Sequence, residues 1–180
     1  MEFQTGDIIC VKSRGFFGKI ISWFSRSRNE APTYANHIAI VKDRNTVSEA
    51  VSTVKETEIH EWIEKHKHFQ VWRFELLTDA EKDKIYKYLC QFQGKFYGGW
   101  KLLFFAGDLG LTKLLGKETY FFRKMLFIDN FPICSWLASN AYAEAGYRFR
   151  DFNPNYLDPD MMHDIIMNDG RWKLIFTRRL

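Results

Sequence analysis

The sequence predicts one mixed domain of strands and helices, and three observations lead there. Short apolar or alternating runs such as Ile8-Ile9-Cys10-Val11 and Asn36-His37-Ile38-Ala39-Ile40-Val41 are bounded by turn residues, the pattern of strands. Two longer stretches, one opening at Thr78 and one at Cys134, carry apolar residues in helical runs and stop at Gly94 and Gly146. A chain of 180 residues, 17% aromatic and 27% charged, is long enough to bury one sizeable core and is neither disordered nor of low complexity.

The elements follow in order. Gly6-Asp7 reads as a turn into a short buried strand over Ile8 to Val11, closed by Lys12-Ser13. Phe16 to Phe24 has the spacing of a short amphipathic helix ending in Ser25-Arg26-Ser27-Arg28-Asn29. Asn36 to Lys42 and Thr46 to Val51, joined by Asp43-Arg44-Asn45, read as a β-hairpin. Thr53 to Ile59 follows as a strand, then a short helix around Trp62 and a strand over Phe69 to Phe74. Thr78-Asp79-Ala80-Glu81 resembles a capping box, with Ile85, Tyr88, Leu89 and Phe92 continuing at helical spacing. The aromatic segment from Phe96 to Phe131 reads as helical pieces broken at glycines. Cys134 to Ala145 is a helix, Asp158-Pro159-Asp160 opens another with Pro159 in its first turn, and Trp172 to Thr177 closes the chain as a strand.

Composition excludes several classes of function. The net charge of +4 is spread among acidic residues, so nucleic acid is not an expected partner; Lys12 to Arg28 and Arg178-Arg179 suit solvent or an anionic surface. Three cysteines, at positions 10, 90 and 134, make neither a disulfide framework nor a zinc pattern, which points to a reducing compartment. The first residues lack a basic segment followed by an apolar one, and the stretch from Trp100 to Phe131 carries eight charges where a spanning helix needs about 20 apolar residues. The expectation is a chain that is cytoplasmic as synthesised. His60, His66 and His68 have no Cys or carboxylate cluster at ligand spacing, read as surface residues, and leave no metal or cofactor expected.

The reactive candidates are Cys134, His37 and Glu49. A thiolate attacks carbonyls far better than a thiol, and Cys134 opens a helix, whose positive end favours the anion. Cys10 in a strand and Cys90 within a helix lack that setting and read as core or neutral residues. His37 is placed to take and return the thiol proton, and Glu49 to fix its tautomer. Singly, each has an ordinary explanation: a buried small hydrophobe, a structural histidine, a strand residue facing solvent. Hairpin register decides whether His37 meets Glu49. A turn centred on Asp43 sets them opposite at about 5 Å between Cβ atoms, and one centred on Arg44 makes them diagonal neighbours at about 7–8 Å. A turn centred between residues puts them on opposite faces.

Gly6-Asp7-Ile8-Ile9, Asn36-His37-Ile38-Ala39-Ile40-Val41, Glu49-Ala50, Gly94-Lys95-Phe96-Tyr97, Cys134-Ser135 with Leu137, and Asp158-Pro159-Asp160-Met161 stand in an order that resembles the circularly permuted NlpC-type papain-like proteins, in their YiiX-like branch. The resemblance implies an α+β fold, a circularly permuted papain-like domain with an antiparallel sheet packed against helices, including the nucleophile helix. It implies Cys134 as nucleophile, His37 as base, Glu49 as third member, and Tyr97 beside the thiol, helping to hold the oxyanion with the Cys134 N–H. Trp136 stands where relatives often carry an acid, and Asn36 where a Ser is common.

The leading expectation is therefore a thiol hydrolase, an amidase or peptidase, cleaving an amide through a thioester acyl-enzyme, with a cell-wall peptide or peptidoglycan fragment as candidate substrate. The alternative keeps the nucleophile and takes a lipid amide, ester or thioester, with peripheral membrane contact through the segment from Phe96 to Phe131. A third is a binding domain that keeps the fold without the chemistry.

Overall fold

A computed structural model describes residues 2–12, 34–51, 53–95, 134–150 and 157–179. The expected helix over Phe16 to Phe24, the segment from Phe96 to Phe131 and Tyr97 lie outside the described residues. The described chain runs β1 (Ile8–Val11), β2 (His37–Asp43), β3 (Thr46–Ala50), β4 (Val54–Glu58), α1 (Ile59–Lys65), β5 (His68–Phe74), α2 (Asp79–Phe92), α3 (Cys134–Glu144), α4 (Pro159–Asn168) and β6 (Trp172–Arg179). The strands form a six-stranded sheet, ordered β4-β3-β2-β1-β5-β6, with every neighbouring pair antiparallel. This is a mixed α+β fold.

Both faces of the sheet centre are covered, which is why the central strands read as continuous apolar runs. Ile8, Cys10, Ile38 and Ile40 face a core built with Ile85 and Leu89 of α2, Leu137, Ala141 and Tyr142 of α3, and Met162 and Ile166 of α4. Ile9, Val11, Ala39, Val41, Val47, Phe69 and Val71 face a second core around Phe3 and Trp62, the buried residue of α1. Burying one such aliphatic side chain contributes about 1.5–3 kcal/mol.

Local signals set the element ends. Thr78 and Glu81 close the expected capping box, each side chain bonding the other's backbone N–H. Asp158 caps α4 by accepting from the N–H groups of Asp160 and Met161, with Pro159 in the first turn. At the end of α3, Gly146 takes φ +92° and the Tyr147 N–H returns to the Tyr142 carbonyl. The turn before β1 is pinned from two sides. Buried Asp7 receives a two-pronged hydrogen bond from Arg73 at 2.8 and 2.7 Å, and the Tyr142 hydroxyl donates to the Gly6 carbonyl at 2.6 Å. Strand β6 extends to Arg179, two residues past the expected end, because it pairs with the whole length of β5.

Candidate active site

Three elements bring the reactive candidates together. His37 is the first residue of β2, on the face shared by Ala39 and Val41. Glu49 lies in β3 opposite Ala39, so its carboxylate emerges on that same face, one step along from His37. The two meet: His37 Nε2 is 2.9 Å from Glu49 Oε2, and the carboxylate accepts the ring N–H. Cys134 opens α3, which packs on the opposite face, and the imidazole at the strand end bonds the thiol as well. With Nε2 held by Glu49, Nδ1 is left for the sulfur.

The register that allows this depends on a bulge. The hairpin turn is the two-residue Arg44-Asn45, with Asp43 opposite Thr46 and the Asp43 carboxylate accepting the Asn45 N–H. A regular ladder continued from that pair would set Ile40 opposite Glu49 and send the carboxylate to the other face. Instead the register shifts between Val41 and Asp43, so that Ala39 faces Glu49. Lys42 is the inserted residue. Its stem is buried and its ammonium bonds Glu56 of β4 at 2.6 Å. The turn thus has the between-residue centre that alone would separate the pair, and the bulge converts it into the diagonal arrangement.

Electrostatics favour an ion pair. Burial opposes ionisation of Cys134, but the charge and hydrogen bond of His37, with the N–H groups of Ile38 and Ser135, outweigh it and hold the thiol below its ordinary value. Burial also disfavours the His37 cation; the Cys134 charge and hydrogen bond, and then Glu49, override it and push the imidazole up to about 10. Glu49 is buried too, yet the hydrogen bond and charge of His37 hold its carboxyl below the usual range, helped by the neighbouring Trp62 indole. Cys10, by contrast, is a fully buried thiol driven strongly upward by desolvation, and Cys90 is exposed on α2. Only Cys134 combines an imidazole with a helix start among the three.

Ser135, next to the sulfur, donates from its buried Oγ to the Leu157 carbonyl at 2.6 Å, tying the start of α3 to the approach of α4. Asp160 of α4 accepts the Tyr34 N–H at 3.0 Å, three residues before His37. Nucleophile and base are therefore anchored through one neighbouring segment.

The chain shares its fold with YiiX. The crystal structure of metalloprotein YiiX from Escherichia coli O157:H7, DUF1105, aligns with a TM-score of 0.64 over 98% of each chain, at 19% sequence identity. No family model matches the sequence, and no curated protein matches it.

Several residues around the site escaped sequence reasoning. Trp62 forms the wall beside Glu49, and His66 stacks on it with ring centroids 3.9 Å apart, its Nδ1 bonding the Trp62 carbonyl at 2.8 Å. The surface assignment fits exposed His60; His66 and His68 are half-buried. The four-residue spacing of Trp62 and His66 was the available signal. His163 of α4 is buried, stacked on Tyr34 at 4.8 Å and bonded to Gln70 at 2.9 Å, and burial pulls its imidazole down to about 4. Asp160 is pushed up to about 6 by desolvation and by the charges of Asp164 and Asp158. No helix among the described residues is long and apolar enough to cross a membrane.

Proposed function

We propose that this chain is a circularly permuted papain-like thiol hydrolase that cleaves an amide bond through a thioester on Cys134. The observation that carries the reading is one imidazole shared by two partners: Glu49 at 2.9 Å on Nε2, and the helix-start thiol on its other side. The thiolate attacks the carbonyl carbon, and the resulting oxyanion is met by the Cys134 N–H at the start of α3. Tyr97 is assigned the second oxyanion donor on the resemblance alone. His37 then gives its Nδ1 proton to the departing amine, leaving a thioester. A water that loses its proton to His37 attacks the thioester carbonyl, releasing the acid and restoring the pair. Glu49 stays ionised throughout and holds the ring in place. A cell-wall peptide amide is the substrate class proposed.

A small activated ester, p-nitrophenyl acetate, tests the nucleophile without knowledge of the natural substrate. A single acetyl adduct on Cys134, seen by peptide mass spectrometry and lost in Cys134→Ala and His37→Ala, is expected. Acetylation of Cys134 no faster than of exposed Cys90 would overturn the reading.

A further inference from the structure

We propose that Asp160, His163 and Asp164, on the first turns of α4, form a binding site for one divalent transition cation of the zinc class, separate from the thiol. One ligand atom from each lies within 4.8 Å of the others. Spacings of three and four residues put the three side chains on one side of the helix. The decisive observation concerns a buried lone pair.

Gln70 fixes which nitrogen of His163 carries hydrogen. Trp72 Nε1, which only donates, lies 3.2 Å from Gln70 Oε1, so that atom is the amide oxygen. His163 Nε2 lies 2.9 Å from the same oxygen and must therefore also donate. The proton sits on Nε2, and Nδ1 carries a lone pair. That nitrogen is buried with no hydrogen-bond partner among the described residues, in a side chain only 3% exposed. Its nearest ion-pairing atom is Asp164 Oδ1 at 3.9 Å, an acceptor. A lone pair facing carboxylates repels them unless a cation stands between.

The surroundings have the form of a metal site. An imidazole whose far N–H is held by a carbonyl is the usual support for a ligating histidine, because it sets ring angle and tautomer. Stacking on Tyr34 and edge contact with Trp72 at 6.2 Å fix the plane further. Asp160 accepts the Tyr34 N–H at 3.0 Å on Oδ1 and the Ala35 N–H as well, which fixes its carboxylate in place, and a carboxylate has lone pairs beyond those two bonds. Asp164 is more than half exposed, so it can swing inward and leaves the site open to water on that side. Ligands at about 2.1 Å from a tetrahedral zinc stand about 3.4 Å apart, and a small rotation of Asp164 brings its 3.9 Å separation from His163 Nδ1 to that spacing. One nitrogen and two carboxylate donors suit a borderline ion such as zinc better than calcium or magnesium, which prefer oxygen alone.

The test is a calorimetric titration of Zn²⁺ alone into metal-stripped full-length chain carrying Cys134→Ala, so that the reactive thiol cannot compete. Saturable binding of one ion is expected, weakened at least about tenfold by Asp164→Asn and by His163→Gln. Asp164 is exposed, so its variant keeps the fold, which circular dichroism checks. Co²⁺ substitution should give visible bands without thiolate charge transfer. No saturable binding, equal binding in Asp164→Asn, or a thiolate band from Cys10 or Cys90 would each overturn the site. Ester acylation of Cys134 in the wild type is read separately, so the two proposals fail independently.

Discussion

Glu49→Gln keeps an acceptor beside His37 while removing the charge, and so isolates what the carboxylate does for the thiol. The contact is 2.9 Å and the Glu49 side chain only 10% exposed, so solvent screens it little. A hydrogen bond to a charged group contributes about 1.5–3 kcal/mol, and losing that from the imidazolium lowers the thiolate–imidazolium population roughly 10- to 150-fold. The direction follows from the titrations. Glu49 raises the His37 value, and the cation in turn lowers that of Cys134. Without the carboxylate, His37 falls, Cys134 climbs, and acid-side reactivity is lost. The assay is the rate of iodoacetamide labelling at Cys134 between about pH 5 and 9, with exposed Cys90 as internal reference. Wild type should label on the acid side of an ordinary thiol, and Glu49→Gln should lose most of that advantage. Superimposable profiles would refute the coupling; a Cys134 no faster than Cys90 in wild type would refute the ion pair itself.

Other consequences are open to measurement. Burial lowers the His163 value from 6.5 to about 4, so its contribution to stability is present above the unfolded value and is lost as pH falls through the folded one. Denaturant melts of His163→Gln should show an acid-side decline shallower by about 2–3 kcal/mol, while raised Asp160 works in the opposite direction over its own range; an unchanged slope would count against it. Lys42→Met keeps the stem but strands the partly buried Glu56 carboxylate, costing about 1–3 kcal/mol and depressing Cys134 acylation beyond what lost stability explains. Acylation that merely tracks stability would show that the bulge persists without its ion pair. At Gly6, φ is +94° and an added Cβ would lie 2.8 Å from Leu77 Cδ1 and 3.3 Å from the Tyr142 hydroxyl, so Gly6→Ala should lower stability by more than about 1 kcal/mol; an unchanged melting temperature would contradict the packing.

Most strands and helices were legible because their signals are local. The alternation in β2, the Thr78–Glu81 box and the Asp158-Pro159 cap each lie within a few residues, and the structure places them as read. Cys134, His37 and Glu49 were legible as residue types in sequence order, and the structure brings them into contact. The reason for their meeting was not. Lys42 is held by Glu56, fourteen residues on and two strands away, and nothing near the turn announces an inserted residue. His163 carries no local signal because its partners, Gln70 and Tyr34, are far off in the chain and reach it only after folding. Long-range polar pairing leaves no periodic trace.

The bulge at Lys42 gives the hairpin a parity rule. Each residue gained or lost within the paired parts of β2 and β3, between His37 and the turn or between the turn and Glu49, turns one side chain over relative to the other unless a bulge absorbs it, so within the strands the count matters less than whether it is odd or even. Homologous hairpins are therefore expected to change length here by two residues at a time, or by one residue together with loss or gain of the bulge. Single-residue insertions within β2 or β3 would leave a folded sheet in which His37 and Glu49 no longer meet, and an insertion scan through the paired residues 38–41 and 47–48 would show iodoacetamide reactivity of Cys134 returning at every second step.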